Sequence, residues 1–431
     1  MRICIETLGC KVNQYETQAL ETMLTERGHT ICESGRECGA CIINTCAVTA
    51  ESGRKSRQAI RRLQRENPGA LIAVCGCFSQ ISPDEIEKLD ADLIFGSSDR
   101  VKFIDDLELL FHKKQKVVNI DMPLKRKDFE FLPAGSIGGR TRAMLKIQDG
   151  CSNFCSYCII PFARGPVRSM PVEMIAAETD RLVSEGYAEI VITGIEISSY
   201  GKDLGGVSLI DALRAISDRA PSVRLRLGSL EPRTVTEEFC TAISDIPNMC
   251  DHFHLSLQSG CDATLQRMRR KYNTDQFYNC VSLLRKHFPN CGITADLIVG
   301  FPGETALEFH STLEFIKKCG FSSMHIFPYS IRPGTAAADM PNHISKQEKL
   351  ERARIARKAA EEMELSFLKQ NVGLTLDVLF ERENGASSVG HSSNYLTVRV
   401  DAAGIHNNIL PVQIKSIFEG SLLGEITNPI V

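Results

Sequence analysis

The sequence predicts an α/β protein in three parts: a small parallel α/β domain, a partial (β/α)6 barrel and a small closing β-barrel. Three observations point there. Residues 1–112 alternate short apolar runs with amphipathic stretches. Six further strand-like runs recur between 142 and 328, with helical stretches between them. Beyond 369 the pattern turns to alternating β signals.

In the first part, strands are expected at 2–9, 41–45, 71–76 and 92–96, with helices at 14–26, 50–66 and 83–89. Residues 113–136 are charged, contain prolines and show no period, and read as a linker. The second part, 137–368, places strands at 142–148, 189–194, 223–229, 252–257, 293–299 and 323–328. Six such units fit a partial barrel better than an open doubly wound sheet, although periodicity does not separate the two. A charged helical stretch at 345–369 closes this part. The third, 369–431, carries "LTLDVLF", "YLTVRV" and "LPVQIKSI", as a small barrel would.

Composition excludes several classes. No apolar run is long enough for a membrane span, and "MRICIETLGC" has an acid and no apolar core, unlike a signal peptide. The expected compartment is the cytoplasm, with no membrane partner. Seventeen cysteines in a reducing compartment speak for thiolate ligands over disulfides. A net charge of −3 leaves any nucleic acid to be held by local basic patches.

The cysteines sort by position. Cys151, Cys155 and Cys158 form a C-x3-C-x2-C run directly after a strand, at the barrel face that carries chemistry. Zinc would need a fourth ligand, and the nearest downstream histidine is His252. A [4Fe–4S] cluster with one uncapped iron needs none, and could bind S-adenosylmethionine (SAM) and pass it one electron. Cys10, Cys46 and Cys77 each end a proposed strand, where parallel sheets gather ligands. Buried cysteine also packs as a small hydrophobe, the preferred reading for Cys4, Cys41 and Cys75.

These motifs resemble the radical SAM methylthiotransferase family over the whole chain. The three-cysteine run with Tyr157 before its last member indicates the superfamily, and "TLGCKVN", "INTCAVT" and "GCFSQ" narrow it. "KSRQAIRR", "RTRAMLKIQDGC", "ITGIEISSYG" and "MRRKYNTDQF" resemble the branch acting on N6-threonylcarbamoyladenosine (t6A) beside the tRNA anticodon. The resemblance implies an alkylthio-transferring enzyme with two [4Fe–4S] clusters and SAM, ending in a TRAM-type barrel. Cys151, Cys155 and Cys158 would hold the cluster that cleaves SAM to a 5′-deoxyadenosyl radical; Cys10, Cys46 and Cys77 would hold the auxiliary, sulfur-handling one. Implied partners are the anticodon stem-loop carrying t6A, a reductant such as flavodoxin or ferredoxin, and a sulfur donor. Tyr157, Thr193, Gly194, Glu196, Ser229, Glu231, Gln258 and Ser259 match the family's SAM-binding regions. "VGFPGET" (299–305) lacks the end of a phosphate loop and reads as a turn beside SAM. No acid–base residue pair is expected, because an aromatic C–H is not acidic enough for such catalysis.

For RNA, the sequence offers Arg54, Lys55, Arg57, Arg61, Arg62 and Arg65 on one helix face, and "RMRRKY" (267–272) with a tyrosine able to stack on a base. Residues 370–431 hold three basic and six acidic residues, which speaks against simple electrostatic capture by that part; Tyr395 is its candidate stacking residue. The alternatives are the same chemistry on isopentenylated tRNA or on a ribosomal-protein aspartate, and a non-catalytic, metal-stabilised RNA-binding protein.

Overall fold

The computed structural model describes residues 1–32, 38–113, 115–133 and 140–427. Its first sheet is parallel, in the order β2-β1-β3-β4-β5-β6. The strands are β1 (Arg2–Thr7), β2 (Thr30–Cys32), β3 (Ala40–Thr45), β4 (Leu71–Gly76), β5 (Leu93–Phe95) and β6 (Val117–Asn119). Every residue of β3, "ACIINT", is buried, as a central parallel strand covered on both faces must be. The helix Ala50–Glu66 matches its expected bounds and starts where the Thr49 hydroxyl accepts the Ser52 N–H at 3.0 Å.

Two strands of this sheet escape the sequence pattern. β2 and β6 have three residues each and only partly buried side chains, so they lack the apolar run that marks the equally short, fully buried β5. β6 lies inside the expected linker and pairs with β5, so the first sheet extends to Asn119. Linker residues 114 and 134–136, and the expected barrel start at 137, lie outside the described residues.

The central part contains β7 (Arg142–Asp149), β8 (Arg168–Ser169), β9 (Glu189–Gly194), β10 (Arg224–Leu227), β11 (Ser229–Leu230), β12 (His252–Gln258), β13 (Gly292–Val299) and β14 (Ser323–Pro328). They form two four-stranded sheets, β10-β9-β7-β8 and β11-β12-β13-β14. The third expected strand, 223–229, is thus two segments broken at Gly228, where a Cβ would stand 2.7 Å from the Ile192 carbonyl oxygen. Across that break the six long strands follow one another as an open barrel, with the short β8 antiparallel to β7 at one edge. Three helices begin with reciprocal capping boxes, Ser208/Asp211, Asn273/Gln276 and Thr305/Glu308.

The last strands, β15 (Thr375–Asn384), β16 (Ser387–Ser392), β17 (Thr397–Val400), β18 (Ile409–Phe418) and β19 (Ser421–Ile426), close a barrel in the order β15-β16-β17-β19-β18. Alternate inward residues such as Val378, Phe380, Val398, Val412 and Leu422 fill it. Tyr395 fastens it to the central part. Its ring stacks on His252 at 4.6 Å and on His391 at 5.0 Å, with the Arg226 guanidinium 4.8 Å from its centroid. Both Arg224 and Arg226 are held by the buried Glu189 carboxylate. The expected base-stacking tyrosine is therefore engaged inside the molecule.

Tyr395→Ala should cost about 2 kcal/mol, from lost ring packing and stacking. Denaturant unfolding should show a lowered midpoint; an unchanged one would mean that other contacts hold the barrel.

Candidate active site between two cysteine trios

The loop after β7 carries Cys151, Cys155 and Cys158. At Gly150 (φ +73) a Cβ would stand 1.8 Å from the Pro166 carbonyl oxygen, so only glycine lets the chain turn there. The Cys151 N–H donates to the Gly165 carbonyl at 3.0 Å and the Cys158 N–H to that of Cys155 at 3.0 Å, while Phe154 takes a left-handed φ of 49°. The three half-buried thiols open into a cavity of about 350 Å³. Burial pushes the Cys151 thiol up to about 11 and that of Cys158 up to about 12, against the opposing charge of Arg270.

Of the residues expected around SAM, the structure brings Tyr157, Glu196, Ser229, Glu231 and Gln258 into this cavity. Gln258 takes φ 65° at an irregularity in β12, a strained conformation of the kind found at ligand sites. Glu196 is held by its own N–H donating to Gln148 Oε1 at 2.7 Å. Its Oε2 accepts from Ser199, while its Oε1 is buried and makes no hydrogen bond to the described residues within ordinary geometry. Burial raises the Glu196 pKa above the usual carboxylate range. Thr193, Gly194 and Ser259 do not line the cavity. Thr193 and Ser259 are buried, and Ser259 Oγ accepts the Cys261 N–H at 3.3 Å. Gly194 gives room to Gln148, whose carbonyl oxygen lies 2.9 Å from where a Cβ would be. The "VGFPGET" turn lies behind the wall, Phe301 packing edge-on against Tyr157 at 6.3 Å.

The second trio assembles from three loops at the C-terminal edge of the first sheet. Gly9 (φ +115) permits the approach: a Cβ there would lie 2.9 Å from Cys46 Sγ. Asn13 ties two of the loops, its amide donating to the Leu8 carbonyl at 2.8 Å and the Thr45 carbonyl at 2.9 Å. Cys10 is exposed at the start of the helix Lys11–Glu26; Cys46 and Cys77 are buried. Among the described residues no three His, Cys, Asp or Glu side chains stand close enough to hold one metal ion. A zinc would hold its sulfurs about 3.8 Å apart, whereas a four-iron cube takes one sulfur per iron and spreads them further.

Cys10 and Cys46 face a cavity of about 760 Å³ that shares Val48, Thr49 and the segment Phe327–Ser330 with the first one. The two cavities therefore form one composite cleft, bordered by Cys151, Cys155 and Cys158 on one side and by Cys10 and Cys46 on the other, with Cys77 buried.

Sequence reading missed the charges beneath it. Arg164 Nε donates to Cys77 Sγ at 3.2 Å, and Arg270 NH1 to Cys155 Sγ at 3.3 Å. Arg164 is fully buried, fixed by Glu16 at 3.0 Å and Asn13 at 3.0 Å, and it also lies 3.4 Å from Asp149. Glu16 receives Arg100 at 3.0 Å and Lys146 at 3.4 Å as well. Burial pushes the Glu16 carboxyl up, but Arg164, Arg100 and Lys146 outweigh it and hold it well below the usual carboxylate range. The position of Arg164 in "PFARG", just after the cysteine run, was the available signal.

The expected RNA contacts are redistributed. In "RMRRKY", Tyr272 is buried with its hydroxyl donating to the Ser256 carbonyl at 2.6 Å, Arg267 pairs with Glu308 at 2.8 Å, and only Arg269 and Lys271 are exposed. On the helix Ala50–Glu66, Arg54, Arg57 and Arg62 pair with Glu51, Glu85 and Glu6. Lys55, Arg61 and Arg65 line an open groove along that helix.

Comparison with known proteins agrees with this architecture. Residues 145–316 match the radical SAM superfamily and residues 2–96 the family described as "Uncharacterized protein family UPF0004". A relative from Bacillus subtilis, threonylcarbamoyladenosine tRNA methylthiotransferase MtaB, is 37% identical over 92% of this chain and 89% of its own. A relative from Clostridium tetani, tRNA-2-methylthio-N(6)-dimethylallyladenosine synthase, is 33% identical over 98% of this chain and 95% of its own. The fold is shared with TsrM of Kitasatospora setae, a radical SAM methyltransferase, at TM-score 0.57 and 13% identity, covering 90% of this chain and 80% of that one. A fold and site of this kind define a radical SAM enzyme. The chain belongs to the radical SAM methylthiotransferase family, whose members transfer alkylthio groups using SAM and two [4Fe–4S] clusters. Among the described residues no helix is long and apolar enough to cross a membrane.

Glu16→Gln should destabilise the protein by about 3–5 kcal/mol, since it strands buried cations. Because the Glu16 pKa is depressed, its contribution is full above about 4.5 and fades as pH falls. The variant's unfolding midpoint, measured by denaturant titration, should therefore lose part of its acid dependence.

Proposed function

We propose that this enzyme converts t6A at position 37 of cytoplasmic tRNA to its 2-methylthio derivative, ms2t6A. The observation that carries the reading is the composite cleft, with Cys151, Cys155 and Cys158 on one side of the wall formed by Val48, Thr49 and Phe327–Ser330 and Cys10 and Cys46 on the other. The name of the Bacillus relative, with near full coverage of both chains, supports the nucleoside.

In this reading Cys151, Cys155 and Cys158 hold the SAM-binding cluster, and Cys10, Cys46 and Cys77 the auxiliary one. When bound, the first supplies one electron to the SAM sulfonium and the second holds the sulfur to be inserted. The protein's own groups hold and exclude. Glu196 Oε1 accepts from the SAM ammonium or a ribose hydroxyl. Ser229, Glu231 and Gln258 line the remaining polar wall, and Tyr157, backed by Phe301, forms an aromatic one. Arg270 fixes Cys155, and Arg164 fixes Cys77, by donating to their sulfurs. Val48 and Phe327 give the space between the trios an apolar lining. The groove of Lys55, Arg61 and Arg65 takes RNA phosphates. A flavodoxin or ferredoxin provides electrons, and a separate donor restores sulfur. Residues 1–119, 140–368 and 369–427 act as the methylthiotransferase, radical SAM and TRAM-like parts.

Nucleoside mass spectrometry of a deletion strain should show t6A retained and ms2t6A lost; persistence of ms2t6A without a second enzyme would sink the substrate assignment. Cys155→Ala should abolish 5′-deoxyadenosine formation in the reconstituted enzyme. Cys46→Ala should keep that formation and lose thiolation; if both activities vanish, the trios are not separate sites.

A further inference from the structure

The t6A nucleoside differs from its isopentenylated counterpart in one decisive way: its N6 arm ends in a carboxylate, not a hydrocarbon. C2, where sulfur enters, belongs to the same pyrimidine ring as the carbon bearing that arm. The arm must therefore lie within the cleft that brings C2 to the cysteine trios, and its charge needs a partner there.

Lys349 is the candidate. It enters the cavity of Cys10 and Cys46 from the helix Lys346–Asn371. Its stem lies over Gly300, where a Cβ would come within 2.4 Å of Lys349 Cγ, so the glycine of the "VGFPGET" turn makes its path. Its Nζ donates to the Tyr329 carbonyl at 3.2 Å and sits 5.2 Å from the Tyr329 ring centroid, which fixes where the ammonium points. Charged neighbours on the same helix are paired: Arg352 with Glu304 and Glu348, Arg354 with Glu351. Lys349 has no carboxylate partner among the described residues. The carboxylate lining this cavity, Glu51, is taken by Arg54, and the other cations there are Lys55 and Lys346. Val48, Phe327 and Leu350 add apolar surface, and burial lowers the Lys349 pKa, the mark of a half-desolvated ammonium awaiting an anion.

We infer that Lys349 binds the carboxylate of the threonylcarbamoyl arm and is a specificity-determining residue for carboxylate-bearing over hydrocarbon-bearing adenosines. This rests on the t6A reading above. A phosphate of the same RNA offers the ammonium similar chemistry, and the test separates the two.

Anticodon stem-loops carrying t6A, unmodified adenosine or isopentenyladenosine at position 37 are titrated against the full-length, iron-loaded protein by fluorescence anisotropy. Lys349→Met, which keeps the stem and removes the charge, should weaken binding of the t6A loop about tenfold and leave the unmodified loop unchanged. Lys349→Arg should restore most of the difference. Equal weakening on both loops would assign the ammonium to a phosphate and overturn the proposal, as would no weakening on either. Iron content equal to wild type shows that the variant is folded. A wild-type preference for the isopentenyl loop over the t6A loop would instead overturn the substrate reading, and the role of Lys349 with it.

Discussion

Glu16 is the charge around which the first two parts of the molecule close. It stands on the first helix of the first sheet, yet its partners come from both sides of the seam: Arg100 from the first part, Lys146 and Arg164 from the second. All four side chains are buried, so none can be spared without leaving an uncompensated ion in a low-dielectric setting. The cleft depends on this arrangement because each trio is tied to the network. Arg164 reaches Cys77 directly, and Asp149, which Lys146 and Arg164 hold, ends the strand that leads into Cys151.

The same logic of positioning by close approach recurs in the backbone. Gly9, Gly150 and Gly194 stand where another chain segment occupies the place of a side chain. At Gly9 and Gly150 the positive φ makes the turn that aims a cysteine; at Gly194 the missing Cβ admits Gln148, which in turn sets Glu196. The chemistry-bearing residues therefore sit on short loops at strand ends, braced by glycine contacts and by Asn13 and Gln148 side chains.

Much of this was legible in the residues themselves. The long strands and the helix 50–66 carry a clear pattern, and topology brings cysteines that end parallel strands to one edge of the sheet. The three-residue β2 and β6 were not legible, because edge strands this short and only partly buried carry neither an alternation nor the apolar run that marks β5. Arg164 and Arg270 were not legible for a different reason. Their partners lie 87 and 115 residues away, and a basic residue beside an RNA-like motif looks the same whether it faces solvent or a sulfur. Tyr272 and Tyr395 misled in the same way: an aromatic ring that could stack on a base is equally able to pack inside the fold, Tyr395 against two histidines and Tyr272 against Phe277.

Arg164 has one further consequence. A single guanidinium that touches Cys77 of one trio and Asp149, two residues before Cys151 of the other, ties both loops to one side chain. Neither loop can shift without disturbing the partner of the other, so the seam between the domains sets the shape of both sites together.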